Sequence, residues 1–181
     1  MRSGKSFWEN RTLAWAALAL IAVLAVFLGA NRTVSAYRTA VEKSFRENSE
    51  EYGCPSEDLK KYADYAARLF AITGDTDRNA FSAAVADLNR VKDDPFALGD
   101  AADRVYREAA AAYQRLIAAE GDDAGKRNNN AILLFTEMES TRMRLRNNET
   151  YHKNALRLNG AVKVFPASLL VLDRRTAWTF R

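Results

Sequence analysis

The chain is poor in the residues from which disulfide-bonded folds and metal sites are built. Among 181 residues there is one cysteine and one histidine. A single cysteine excludes an internal disulfide framework and a cysteine-built zinc site, and a single histidine excludes a multi-histidine metal site. Three prolines and eight glycines are too few for an all-β chain with many turns. Charge of one sign is scarce as well: 27 Lys and Arg stand against 23 Asp and Glu, a net +4. Half of that excess lies before residue 31, in Arg2, Lys5 and Arg11 against Glu9. The near-neutral remainder argues against a nucleic-acid-binding domain, whose affinity comes from clustered cations. Glycine-rich phosphate loops and Gly-x-Ser-x-Gly nucleophile elbows are missing too. What is present is a 48% apolar composition, enough for a folded core and against wholesale disorder.

The first positive feature is an uncharged stretch from Thr12 to Asn31, almost wholly Ala, Leu, Val, Ile, Phe and Trp. Twenty helical residues at ~1.5 Å each cover ~30 Å, the thickness of a bilayer core. Trp8 and Trp15 fall near its amino-terminal end, where indole rings favour the headgroup zone. A buried core helix would keep one polar stripe, and this stretch has none. A cleaved signal peptide, cut at Val34-Ser35-Ala36, is the rival reading. The apolar run exceeds the ~7–15 residues of a signal peptide's central region, and Arg32 intervenes before the cut. The expectation is therefore a retained anchor, with residues 1–30 as tail and transmembrane segment and 31–181 as a helical domain. Lys and Arg flank the span on both sides, and the bundle is expected on the extracytoplasmic face.

Beyond residue 31 no strand-like alternation is sustained, and apolar residues recur at helical spacing. Tyr37, Val41 and Phe45 carry a helix out of the membrane segment until Gly53-Cys54-Pro55 stops it. Ser56 is the expected cap of a second helix, with Glu57 and Asp58 in its first turn. Leu59, Tyr62, Ala66, Leu69 and Phe70 form its apolar face. Phe81, Val85, Leu88 and Val91 form a third. An Ala-rich run from Asp100 to Ala119 forms a fourth, and a long helix from about Asn129 to Val164 forms the fifth. The expected fold is all-α: a single transmembrane helix followed by an antiparallel bundle of four to five long helices.

Candidate chemistry is thin. Asp75, Asp77 and Asn79 follow the opening of a calcium loop, but Ala80 and Ala86 stand where Gly and Glu are needed, so helix capping is the expected role. Glu149 and His152 fit one Glu-x-x-His step of a di-iron bundle, without a second histidine. Cys54 reads as a packing residue and His152 as a solvated or interface side chain. Charge placement says more. Residues 93–125 hold eight acidic and three basic residues, and residues 142–181 hold nine basic and two acidic. Side-by-side helices that neutralise each other are the expected arrangement. The order Leu169–Leu172, Arg174-Arg175, Trp178 and Phe180 also suits a membrane surface or a docking partner.

Glu139-Ser140-Thr141-Arg142-Met143, Tyr151, Asn159 eight residues on, Phe165-Pro166 six residues after that, and the ending Arg174-Arg175-Thr176-Ala177-Trp178-Thr179-Phe180 form a recurrent pattern. On these positions residues 97–181 resemble the LemA family. The resemblance implies an anchored antiparallel bundle in a bacterial membrane. It implies no activity, no catalytic residue and no cofactor. Glu139, Arg142, Tyr151, Asn159, Phe165 and Pro166 are carried as structural signature positions, with Phe165-Pro166 expected to stop the helix and Phe165 to seal the bundle end. The leading functional expectation is a membrane-anchored, non-enzymatic interaction or scaffold protein. A ligand-sensing bundle is the alternative, and a hydrolase with dispersed catalytic residues is a third. The expected partners are the lipid bilayer through residues 12–31, a protein not identified by sequence, a second copy of the chain as a further candidate, and no nucleic acid.

Overall fold

A computed structural model describes residues 11–48, 53–73, 78–118, 124–164 and 166–179. Seven helices and no β-strand occur among them: α1 (Arg11–Arg46), α2 (Pro55–Thr73), α3 (Arg78–Val91), α4 (Ala101–Ala118), α5 (Ala124–Asn147), α6 (Glu149–Ala161) and the single turn α7 (Ala167–Leu170). The all-helical bundle expected from the periodicity is what the chain forms.

α1 runs unbroken for 36 residues. Its first half is apolar on all sides and bare: the most apolar 18-residue window has 0% of its residues buried. It is long and apolar enough to cross a membrane. The second half is striped, and Val34, Val41 and Phe45, spaced seven and four apart, are buried in the bundle. This spacing keeps all three on one helical face. α1 therefore leaves its bare stretch and becomes a core element without a joint.

Cys54 ends α1 from outside. Its Sγ donates to the carbonyls of Arg46 at 3.2 Å and Phe45 at 3.6 Å, which have no partner within the last turn of a helix. The expected cap of α2 moves by two residues. Pro55 is the first residue of α2, and the Cys54 carbonyl accepts from the amides of Glu57 at 3.1 Å and Asp58 at 3.0 Å. Proline suits that first position because its missing N–H would have no helical partner there. Ser56 sits inside the first turn, 3.1 Å from the Cys54 sulfur.

α2 packs on α5, α1 on α6 and α3 on α4. Leu59, Tyr62, Ala66 and Leu69 of α2, Phe81 and Leu88 of α3, Val105 and Ala109 of α4, and Met138 and Leu145 of α5 are all buried in one cluster. Each fully buried Leu or Phe contributes ~1.5–3 kcal/mol. The alanines of α4 have a second effect, because interaxial distance is set by the side chains at the contact.

The single helix expected from 129 to 164 is two. α5 and α6 meet at Asn148, which leaves helical geometry (φ −71°, ψ 85°) and caps α6 by accepting from the Tyr151 amide at 3.0 Å. Asn148 is buried, and its backbone amide donates to Leu145. On a straight helix Leu145 and Tyr151, six residues apart, would point roughly 120° apart. The break lets α5 present Leu145 alongside α2 while α6 presents Tyr151 to α1, where it meets the Phe45 ring at 5.7 Å.

Candidate functional site

α6 runs antiparallel to α1. Tyr151, at its start, faces Phe45, and Asn154 donates to the carbonyl of Ala40. After α6 and α7 the chain turns back as an extended strap, residues 171–179, and two side chains of α6 grip it. The Tyr151 hydroxyl donates to the Trp178 carbonyl at 2.8 Å. Asn159 makes a paired contact with Ala177: its amide donates to the Ala177 carbonyl at 2.8 Å and its oxygen accepts from the Ala177 N–H at 2.7 Å. The Trp178 backbone amide donates to the Pro95 carbonyl at 2.9 Å, tying the strap to the turn between α3 and α4. Trp178 is 5% exposed. The expectation that Trp178 lies half-wet on a membrane or partner is thus overturned. So is the expectation that the chain beyond Leu172 frays: backbone hydrogen bonds at Ala177 and Trp178 hold the strap against the bundle, with the indole buried beneath it.

Arg38 of α1 grips the lower end of the strap. It pairs with the Asp173 carboxylate and donates to the Asp173 carbonyl at 2.7 Å and the Arg175 carbonyl at 3.2 Å. Arg175 returns to Asp173 at 3.1 Å and reaches Asp94 at 3.7 Å. The Phe96 ring lies 5.5 Å from the Arg38 guanidinium and 5.7 Å from that of Arg175. Hydrogen bonds from Arg38, and then from Arg175, hold the Asp173 carboxyl far below the usual carboxylate range.

Glu139 and Arg142 belong to a second group, where α4 and α5 face each other. The Tyr106 hydroxyl donates to Glu139. The Arg142 guanidinium lies 3.9 Å over the Tyr106 ring and 3.6 Å from Asp103. The bond to Glu139, more than burial, pushes the Tyr106 phenol above its ordinary value, because ionisation would set a phenolate against a carboxylate. Behind this group Tyr62 donates to the Ala102 carbonyl at 3.1 Å, and burial raises its phenol strongly. Arg142–Asp103 and Arg175–Asp94 also join the acidic stretch to the basic one, the side-by-side neutralisation that charge placement suggested.

The strap and this group border one open cleft of about 840 Å³. Arg142, Asn159 and Trp178 line it, together with Asp103, Arg107 and Lys163. Of the signature positions, Arg142 and Asn159 thus meet in the cleft, Glu139 stands behind Tyr106, and Tyr151 is buried behind Trp178. Pro166 lies apart, accepting from the amides of Leu169 at 3.1 Å and Leu170 at 3.0 Å to start α7. Phe165 lies outside the described residues, as do Asp75 and Asp77. Asn79 is exposed in the first turn of α3. His152 places a ring nitrogen 3.1 Å from the Leu145 carbonyl, and burial pulls its pKa down. Among the described residues no three His, Cys, Asp or Glu side chains converge as a metal site.

Sequence reasoning missed Asp103, Tyr106 and Arg107, which share one face of α4 by their i, i+3, i+4 spacing. The cleft lining combines guanidinium, ammonium, carboxylate, amide and indole groups, a set suited to holding a polar partner. No family model, curated protein or solved structure matches this chain.

Proposed function

We propose that this chain is a single-pass bacterial membrane protein of LemA-like type, with a non-enzymatic interaction or scaffold role. Residues 12–31 span the bilayer. The bundle stands on the extracytoplasmic side and offers the cleft between α4, α6 and the strap to a partner protein. One observation carries this reading: α1 is a single helix whose apolar window is wholly bare while its continuation is core. A helix with every backbone group paired internally and an apolar surface on all sides is what a lipid environment requires. The test places a photocrosslinking residue at Arg107 or Lys163 in cells. A discrete crosslinked partner, or a crosslinked dimer, is expected; capture at background level from both positions would refute the interaction role. Alkaline extraction of the same membranes checks the anchor separately.

The size and polarity of the cleft favour a second reading, a ligand-binding domain at the membrane surface. Under it, a small polar ligand would raise the melting temperature of the wild-type protein and leave that of Arg142→Ala unmoved.

A further inference from the structure

The level of the 170–178 segment can be read off α1, which serves as a ruler. Leu170 and Leu172 lie beside Asn31, the last residue of the uncharged run. The Asn31 amide donates to the Leu170 carbonyl at 3.1 Å, and its oxygen accepts from the Leu172 N–H at 3.3 Å. Asp173 and Arg175 lie beside Arg38, seven residues and therefore about 10 Å further along the helix axis. Ala177 and Trp178 lie beside Asn159 and Tyr151. The chain thus descends along α6, turns at α7, and climbs away in the strap. The turn is placed where α1 leaves its bare stretch.

This turn carries apolar side chains that no part of the bundle covers. Leu172 is 86% exposed, more than any other large apolar side chain among the described residues, and Leu169 is 67% exposed. On α1, Leu28 lies three residues before Asn31 and is 64% exposed, so the turn sits at the end of the anchor's bare apolar surface. Two cationic groups flank the patch. Arg32 follows Asn31 and is exposed. Arg174 bonds the Leu169 carbonyl at 3.0 Å and the Val171 carbonyl at 3.3 Å, bracing the turn from its rim.

Resting on the reading of α1 as a bilayer-spanning helix, we propose that the 166–172 turn is a second membrane contact. Leu169 and Leu172 enter the acyl–headgroup boundary of the leaflet from which α1 emerges, while Arg32 and Arg174 lie at phosphate level. Leucine favours that boundary through apolar area, and cations beside it gain from anionic headgroups. The bundle is therefore seated on the surface at two points, which fixes its rotation about α1 and the direction in which the cleft opens.

The test uses the full chain in vesicles of phosphatidylethanolamine and phosphatidylglycerol, in a Cys54→Ser background. Nitroxide labels are placed singly at Leu172→Cys, Leu169→Cys, Leu18→Cys and Met143→Cys. Met143 lies at the far end of the bundle, in a hollow it shares with Asn48 and Gly53. Collision with oxygen, which concentrates in lipid, is compared with collision with a water-soluble nickel chelate. Labels at 18, 169 and 172 should favour oxygen, and the label at 143 should favour nickel. Labels at 169 and 172 that favour nickel, or are shielded from both reagents, overturn the second contact while the label at 18 still reports the anchor. A nickel-favouring label at 18 overturns the anchor itself and the second contact with it.

Discussion

The two halves of α1 share one helical geometry and differ in what surrounds them. Along the first, Leu13, Trp15, Leu18, Leu20 and Ile21 are 45–70% exposed around the whole circumference. Along the second, the buried apolar side chains Val34, Val41 and Phe45 keep to one stripe; Arg38 borders that stripe and pairs with Asp173, and Lys43 on the opposite side pairs with Glu47. An apolar surface without a stripe suits surroundings that are apolar in every direction; a stripe suits a core on one side and water on the other. The second half also has specific side-chain partners, in Asp173, Glu47 and Tyr151.

The comparison can be broken from either side. The largest effect is expected from Leu20→Arg combined with Leu24→Arg, each costing ~2.5–3.5 kcal/mol at the middle of a spanning helix. Alkaline extraction should release this variant while the bundle's melting temperature stays at the wild-type value. A lowered melting temperature would show that the halves are energetically coupled. Phe45→Ala is the mirror experiment. It removes a fully buried ring and should lower the unfolding free energy by ~3–5 kcal/mol in denaturant titration, with membrane retention unchanged.

Asn159→Ala sharpens the comparison within the bundle, since it deletes both bonds to Ala177. A loss of ~1–3 kcal/mol is expected, the range for leaving buried partners unpaired. Trypsin should then cut after Arg174 or Arg175 before it attacks α2 or α5. The smallest effect belongs to Asp173. Its pKa in the folded chain lies below that in the unfolded chain, so its stabilisation is complete above about pH 4 and is lost as pH falls from there toward the folded value. Because Asp173 is 42% exposed, solvent screening limits this to below ~1 kcal/mol. The Trp178 indole resonance, followed from pH 7 to pH 3, should report earlier loosening of the strap in wild type than in an Asp173→Asn variant normalised to its own neutral state.

Local pattern revealed what depended on local pattern. The spacing of Tyr37, Val41 and Phe45 was enough to carry α1 past the apolar run, because a core stripe must repeat at the helical period whatever its partner is. The break at Asn148 was half visible: Leu145 and Tyr151 would point apart on one straight helix, but asparagine serves a helix surface and a helix cap alike. The strap was not legible. Trp178 shortly after two arginines suits a wet surface by sequence, and its burial depends on Tyr151, Asn159 and Pro95, which only the folded chain brings near. For the same reason the signature spacing of Tyr151 and Asn159 said nothing of its use, although the two residues hold one segment from positions two turns apart.

The pairing of α1 with α6, α7 and the strap also sets a timetable. The bonds that Ala40, Asn31 and Arg38 make join residues 114, 139 and 135 positions apart in sequence. A ribosome adding ~5–20 residues per second needs roughly 7–30 s to cover that distance. Throughout that interval the stripe of Val34, Val41 and Phe45 has been made and its partners in α6 have not. Loops this long are slow to close, and uncovered apolar stripes attract other chains. The chain is most vulnerable in the period between the synthesis of its first helix and the arrival of the segment that covers it.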